Sequence, residues 1–214
     1  MGKMEFTYTS GWEEFENYCG ELYRGYLNRY CRGNEKVCED EINQAYASGM
    51  SFIQKKVNEN KEILKQLEEE GVLTLNKELR MPRLPQRIAV VSSPTAAGYG
   101  DFCHQLQNNP GGFYFYTELF PALMQGDRVE ESVLSALDKI NSRSDSFDVV
   151  VIIRGGGATS DLSGFDTYLL AAACAQFPLP VITGIGHERD DTVLDSVAHT
   201  RVKTPTAAAE FLID

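Results

Sequence analysis

An α/β fold is predicted for this chain: a Rossmann-like, mainly parallel sheet with helices on both faces, preceded by an N-terminal helical segment. Three observations carry the prediction. Four short runs of β-branched or aromatic residues occur between position 88 and position 185. Each is followed by a loop and then by a helical apolar period, the alternation that builds parallel sheets with crossover helices. The two prolines of Met81-Pro82-Arg83-Leu84-Pro85 disfavour helix and mark a change in composition before the first run.

In chain order, Trp12, Phe15, Cys19, Leu22, Tyr26 and Tyr30 recur at intervals of three and four and predict one face of an amphipathic helix, broken at Gly33 and Asn34. Ile42, Tyr46, Met50, Ile53 and Val57 continue a second helical period through Leu64 and Leu67, with Gly71 as its stop. These patterns predict a helical extension over 1–58, a helix and proline-containing linker over 59–85, and an α/β domain over 86–214. Within the last, strands are expected at Ile88 to Ser92, Gly112 to Leu119, Asp148 to Ile153 and Pro180 to Ile185. Val129, Val133, Leu137 and Ile140 align on one helix, and Leu162, Phe165, Leu169 and Ala172 on another. Thr204-Pro205 followed by Thr206-Ala207-Ala208-Ala209 reads as a cap, a proline at the first helical position and strong helix formers.

Composition limits the classes. A chain of 214 residues that is 43% hydrophobic and 24% charged has enough apolar material for a core and is neither collagen-like nor disordered. No run approaches the roughly 18–20 apolar residues of a membrane helix, and residues 1–10 lack a basic-then-apolar leader, so no membrane association and a cytoplasmic location are expected. Five scattered cysteines without a CxxC pair fit reduced, packing thiols. The formal charge of −11 argues against a broad polyanion-binding surface, so any contact with nucleic acid must be local.

Chemistry concentrates in the loops after the strands. Gly155, Gly156 and Gly157 follow the third strand and permit close approach of a ligand to backbone N–H groups. Arg154 before them offers a forked cation to phosphate oxygens. With Ser93 and Thr95 after the first strand, the glycines are the phosphate-binding candidates. His187 stands among acids in Gly186-His187-Glu188-Arg189-Asp190-Asp191, where a carboxylate can orient it for proton transfer. His104 and His199 read as surface or packing histidines. Asp101 is expected at the start of the helix after the first strand, where dipole compensation is the plainer role. Asp101, Arg154, His187 and Asp190 come from three loops that the fold brings to one rim, a set suited to phosphodiester hydrolysis. The same chemistry leaves open a non-catalytic phosphate- or nucleotide-binding module. GxxxxGK[ST], GxSxG and a complete GxGxxG are all missing, as are HExxH and paired CxxC for zinc.

Read in order, Leu84-Pro85-Gln86-Arg87-Ile88-Ala89-Val90-Val91-Ser92-Ser93-Pro94-Thr95-Ala96-Ala97, Arg154-Gly155-Gly156-Gly157 with Asp161-Leu162, Gly186-His187-Glu188-Arg189-Asp190, and Arg201 with Thr204-Pro205-Thr206-Ala207-Ala208-Ala209-Glu210 resemble the catalytic domain of the exodeoxyribonuclease VII large subunit. The likeness runs from about Lys61 to Asp214. It implies a nuclease that degrades single-stranded DNA from both ends into short oligonucleotides, with several copies of a small subunit as partner. The family's catalytic positions fall on Asp101, Arg154, His187 and Asp190. The family tolerates metal depletion, and Asp101 and Asp190 are the carboxylates compatible with a weak Mg2+ site or with none. An OB-fold before the catalytic domain and a long coiled coil after it belong to the family pattern. Residues 1–58 read as helical and do not resemble that OB-fold, and the coiled coil that docks small subunits is expected to be absent here.

Overall fold

The computed structural model describes residues 35–155, 162–186 and 191–214. The helix predicted around Trp12 to Tyr30 and the break at Gly33 lie outside them. The chain divides into two compact units, Met1–Glu62 and Ile63–Asp214.

The first unit contains the opening turns of α1 (Glu35–Glu69), which covers the whole second helical period. Along it Met50 and Val57 are partly buried, whereas Phe52 is exposed.

The second unit starts inside the same helix. Gly71 ends it as predicted, at φ +71°. Its N–H donates to the Glu68 carbonyl (2.9 Å) and that of Val72 to the Leu67 carbonyl (3.0 Å), the paired bonds of a Schellman stop. Leu67 is fully buried with the sheet's core, and Val72 packs against the same cluster. A single turn, α2 (Leu75–Glu78), then leads through the prolines into β1 (Arg87–Ser92). There follow α3 (Ala97–Gln107), β2 (Tyr116–Pro121), α4 (Val129–Asn141), β3 (Val149–Ile153), α5 (Tyr168–Ala175), β4 (Val181–Gly184), α6 (Val193–Val197), β5 (Thr200–Arg201) and α7 (Pro205–Ile213).

The five strands found among the described residues are all parallel, in the order β2-β1-β3-β4-β5. The predicted α/β class is therefore observed. Alternation along the strands builds two cores. Ala89, Val91, Val150, Ile152 and Val181 face α4, α5 and α6, while Ile88, Val90, Val149, Val151, Ile153 and Ile182 face α3 and α7. Among the described residues no helix is long and apolar enough to cross a membrane.

Three local expectations change. The apolar set Leu162, Phe165, Leu169, Ala172 does not form one helical face. A 3-10 turn at Ser163–Phe165 ends at Asp166, and extended Thr167 restarts the helix in a new phase. Leu170, Ala171 and Cys174 become the buried positions, and Leu169 is 59% exposed. The second strand begins at Tyr116, because Gly112 at φ +65° and the Asn109 side chain, bonded to Phe113 at both its N–H and its carbonyl, hold the preceding residues in a turn. The fifth strand, absent from the expectation, is only two residues long; pairing with Ile182 and Thr183 creates it rather than any pattern of its own.

Candidate functional site

The strand order reverses between β1 and β3, so their following loops diverge at a crevice where open parallel sheets place ligands. A cavity of about 250 Å3 lies at this rim. It is lined by Gly98 and Asp101 after β1, Arg154 and Gly155 after β3, Gly184 at the end of β4 with Ile185 and Gly186 beyond it, and Lys203 to Thr206 after β5.

Missing side chains make the crevice tight. A Cβ on Gly98 would come within 2.7 Å of the Pro205 ring and 3.0 Å of the Arg154 carbonyl. One on Gly155 would meet the Ala96 Cβ at 2.8 Å. Gly184 lacks the carbon that would crowd the Thr204 carbonyl at 3.1 Å. Gly155 does not have the positive φ for which glycine is often kept. It serves instead to let the start of α3 pack against the end of β3.

Of the residues singled out from sequence, Asp101, Arg154 and Gly155 meet at the cavity. Asp101 is exposed and sits one turn inside α3, which begins at Ala97 and carries no acid in its first turn, so dipole compensation is not its place. Arg154 is partly buried; burial pulls its pKa below the ordinary arginine value, and its Nε has no hydrogen-bond partner among the described residues. Ser93 and Thr95 lie in the loop after β1 with their hydroxyls 3.2 Å apart and do not line the cavity. Gly156, Gly157, His187 and Asp190 fall outside the described residues. Their neighbours do not: Gly186 lines the cavity, and Asp191 is ion-paired with Arg201.

Sequence reasoning had not selected Lys203 or Thr206 for this site. They arrive because β5 adds to the sheet and the Thr204 hydroxyl caps α7, accepting from the Ala207 N–H at 3.1 Å. The one available signal was Thr204-Pro205 as a helix start, which places the preceding lysine at a helix N-terminus.

Other acids of this rim are committed to structure. Asp195 and Thr192 form a capping box on α6, and Asp166 accepts the Val193 N–H at 2.8 Å. His199 is held between the Thr200 hydroxyl (2.8 Å) and the Leu79 carbonyl (3.0 Å), a packing role. Cys174 is fully buried and its thiol pKa is pushed up, so it too packs. Of the two carboxylates compatible with a weak Mg2+ site, Asp101 lines the cavity and Asp190 lies outside the described residues. No group of three potential ligands for a metal occurs among the described residues.

The described geometry is thus a cavity at a sheet crevice with Asp101 and Arg154 in its lining, and comparison with known proteins adds a family. The sequence pattern described as Exonuclease VII, large subunit matches residues 72–214. An exodeoxyribonuclease 7 large subunit from Cyanothece sp. is 40% identical over 69% of this chain and 34% of its own length. One from Shouchella clausii is 34% identical over 99% of this chain, the first 58 residues included, and 45% of its own. One from Anaplasma phagocytophilum is 32% identical over 88% and 45%. The chain spans between a third and a half of the length of these curated relatives.

Proposed function

Because the chain belongs to the exonuclease VII large-subunit family, we propose that its α/β domain, residues 86–214, hydrolyses phosphodiester bonds of single-stranded DNA. It acts as the catalytic part of a cytoplasmic exodeoxyribonuclease that releases short oligonucleotides from both ends and works with a small subunit. The observation that carries this reading is the meeting of Asp101, Arg154, Gly155 and Gly186 at one cavity in the sheet crevice.

Each group has a task. Arg154, just beyond the end of β3, offsets the charge that grows on the non-bridging oxygens as water attacks phosphorus. The N–H groups of the glycine run serve the same oxygens. His187 takes the proton from the water and returns it to the leaving ester oxygen as the P–O bond breaks. Asp190, three residues on, orients His187 or the water, and Asp101 does so from across the rim.

Replacing His187 by Ala is expected to lower the degradation of single-stranded DNA by roughly 10^2–10^4-fold, measured on a gel with small subunit added. Retained activity would remove His187 from the reaction. Binding of short oligonucleotides without any product, in the unaltered chain, would instead favour a non-catalytic phosphate-binding module.

A further inference from the structure

The turn between α3 and β2 presents aromatic side chains that the core does not absorb. Phe115 packs against the core that α3 and α7 share, whereas Tyr114 is 79% exposed and Phe113 is 40% exposed. The turn itself is braced. The Asn109 amide donates to the carbonyls of Leu106 (2.8 Å) and Phe113 (2.8 Å), and its oxygen accepts the Phe113 N–H (2.9 Å). The Gln86 amide donates to the Tyr114 carbonyl (3.0 Å). The Phe113 ring lies over Gly111, where a Cβ would come within 2.5 Å of it, and stands edge-on to Phe115 at 6.5 Å. Rings held this way lose little freedom when a ligand packs on them.

A cavity of about 280 Å3 opens between these rings and the C-terminal half of α3. Cys103, Leu106, Gln107, Phe113, Tyr114 and Thr117 belong to its lining, which contains no Asp, Glu, Lys, Arg or His. The side chains of Gln107 and Thr117 make no hydrogen bond to another side chain or to the backbone among the described residues. Aromatic faces beside a neutral amide and a hydroxyl suit a planar ring with a polar edge and offer nothing to a phosphate. The same helix ties this cavity to the crevice, since Gly98 and Asp101 line the one and Cys103, Leu106 and Gln107 the other. Asp101 and Gln107 are about 9 Å apart along the helix axis. A formal charge of −11 argues against gripping a strand mainly by its phosphates, whereas stacking on aromatic rings needs no charge and accepts any base. Resting on the nuclease reading above, we propose that this cavity takes one unpaired base of single-stranded DNA, stacked on Phe113 and Tyr114, a few nucleotides from the phosphate held in the crevice.

The test measures binding of fluorescein-labelled oligo-dT, and of an abasic backbone of equal length, to the unaltered chain and to Phe113→Ala, Tyr114→Ala and Tyr114→Phe. Cleavage of the oligo-dT is followed with small subunit added. Loss of either ring should raise Kd and KM for oligo-dT roughly tenfold. Tyr114→Phe keeps the ring and should bind as the unaltered chain does, and the abasic backbone should bind all four chains alike. The slope of log Kd against log salt should not change, because no phosphate contact is removed. The kcat should stay within about twofold, because the base lies away from the reacting phosphorus. An unchanged Kd for oligo-dT in both alanine variants would overturn the proposal, and so would an equal loss on the abasic backbone. Alanine variants that alter the oligomeric state in light scattering yet bind oligo-dT normally would overturn it too, and make the patch a contact between copies. If the unaltered chain cuts single-stranded DNA while the alanine variants bind it normally, only the base site falls. If the unaltered chain neither binds nor cuts it, the nuclease reading falls as well.

Discussion

The two ends of the sheet treat their polar groups in opposite ways. At the amino end they are mutually satisfied. The Asn76 amide, completely buried, donates to the carbonyls of Phe177 (3.1 Å) and Leu179 (3.0 Å) and accepts the N–H groups of Val181 (2.9 Å) and His199 (3.1 Å). Asp148 accepts the N–H groups of Gln86 and Arg87 and is bridged by the Arg87 guanidinium. At the carboxyl end the account does not close. The buried polar atoms without a partner among the described residues are Ser92 Oγ, Arg154 Nε, Thr167 Oγ1, Thr183 Oγ1 and Asp195 Oδ1. Each lies in the last turn of a strand, just beyond it, or in the first turn of the helix that follows. Leaving such groups unmade costs free energy that only a ligand or water can return. The amino rim therefore holds the fold, while at the carboxyl rim one of these atoms, Arg154 Nε, belongs to a residue that lines the cavity.

That contrast predicts a separation of effects. The largest is on activity: Arg154→Ala should lower the cleavage rate by about 10^3-fold with little change in melting temperature, since its Nε contributes no bond to the fold. Asn76→Ala should do the reverse. It strands two carbonyls and two N–H groups in the core, costing about 3 kcal/mol, or roughly 6–12 °C in a thermal melt, while the rate per folded molecule stays the same. Gly98→Ala blurs the division, because its Cβ intrudes where α3, β3 and α7 meet. A loss of about 2 kcal/mol together with reduced cleavage is expected.

The smallest effect concerns Asp148. Burial raises its pKa, but the Arg87 guanidinium and the backbone N–H groups of Arg87 and Gln86 outweigh that and hold it below the usual carboxylate value. A lowered folded-state pKa gives stability that is present above about pH 3.9 and lost as pH falls through the folded value. Asp148→Ala should cost about 1–2 kcal/mol at neutral pH, and the gap from the unaltered chain should shrink in acid melts. A gap that widens in acid would contradict the role given to this carboxylate.

Much of this division was visible before any coordinates. The strands around Ile88, Val149 and Val181, the stop at Gly71 and the start at Thr204-Pro205 each follow from local chemistry, because the β-branched runs, a glycine stop and a threonine cap act within a few residues. Arg154 was legible as a residue just beyond a strand for the same reason, whereas Asp101, expected at the start of the next helix, lies one turn inside it. What the sequence concealed depends on partners far along the chain. Asn76 looks like an ordinary polar residue in a helical turn, and its bonds reach residues more than 100 positions away. Strand β5 is too short to show periodicity, and without it Lys203 has no reason to join the rim. Leu169 was misplaced because Asp166, whose carboxylate is taken by Val193, resets the helical phase.

Cleavage of labelled single-stranded DNA by the Arg154→Ala chain, expressed per folded molecule and set beside its thermal melt, tests the assignment of the carboxyl rim most directly. A rate about 10^3-fold below that of the unaltered chain, at an unchanged melting temperature, is the predicted result. An unaltered rate, or a loss of rate that merely follows a loss of folded protein, would contradict it.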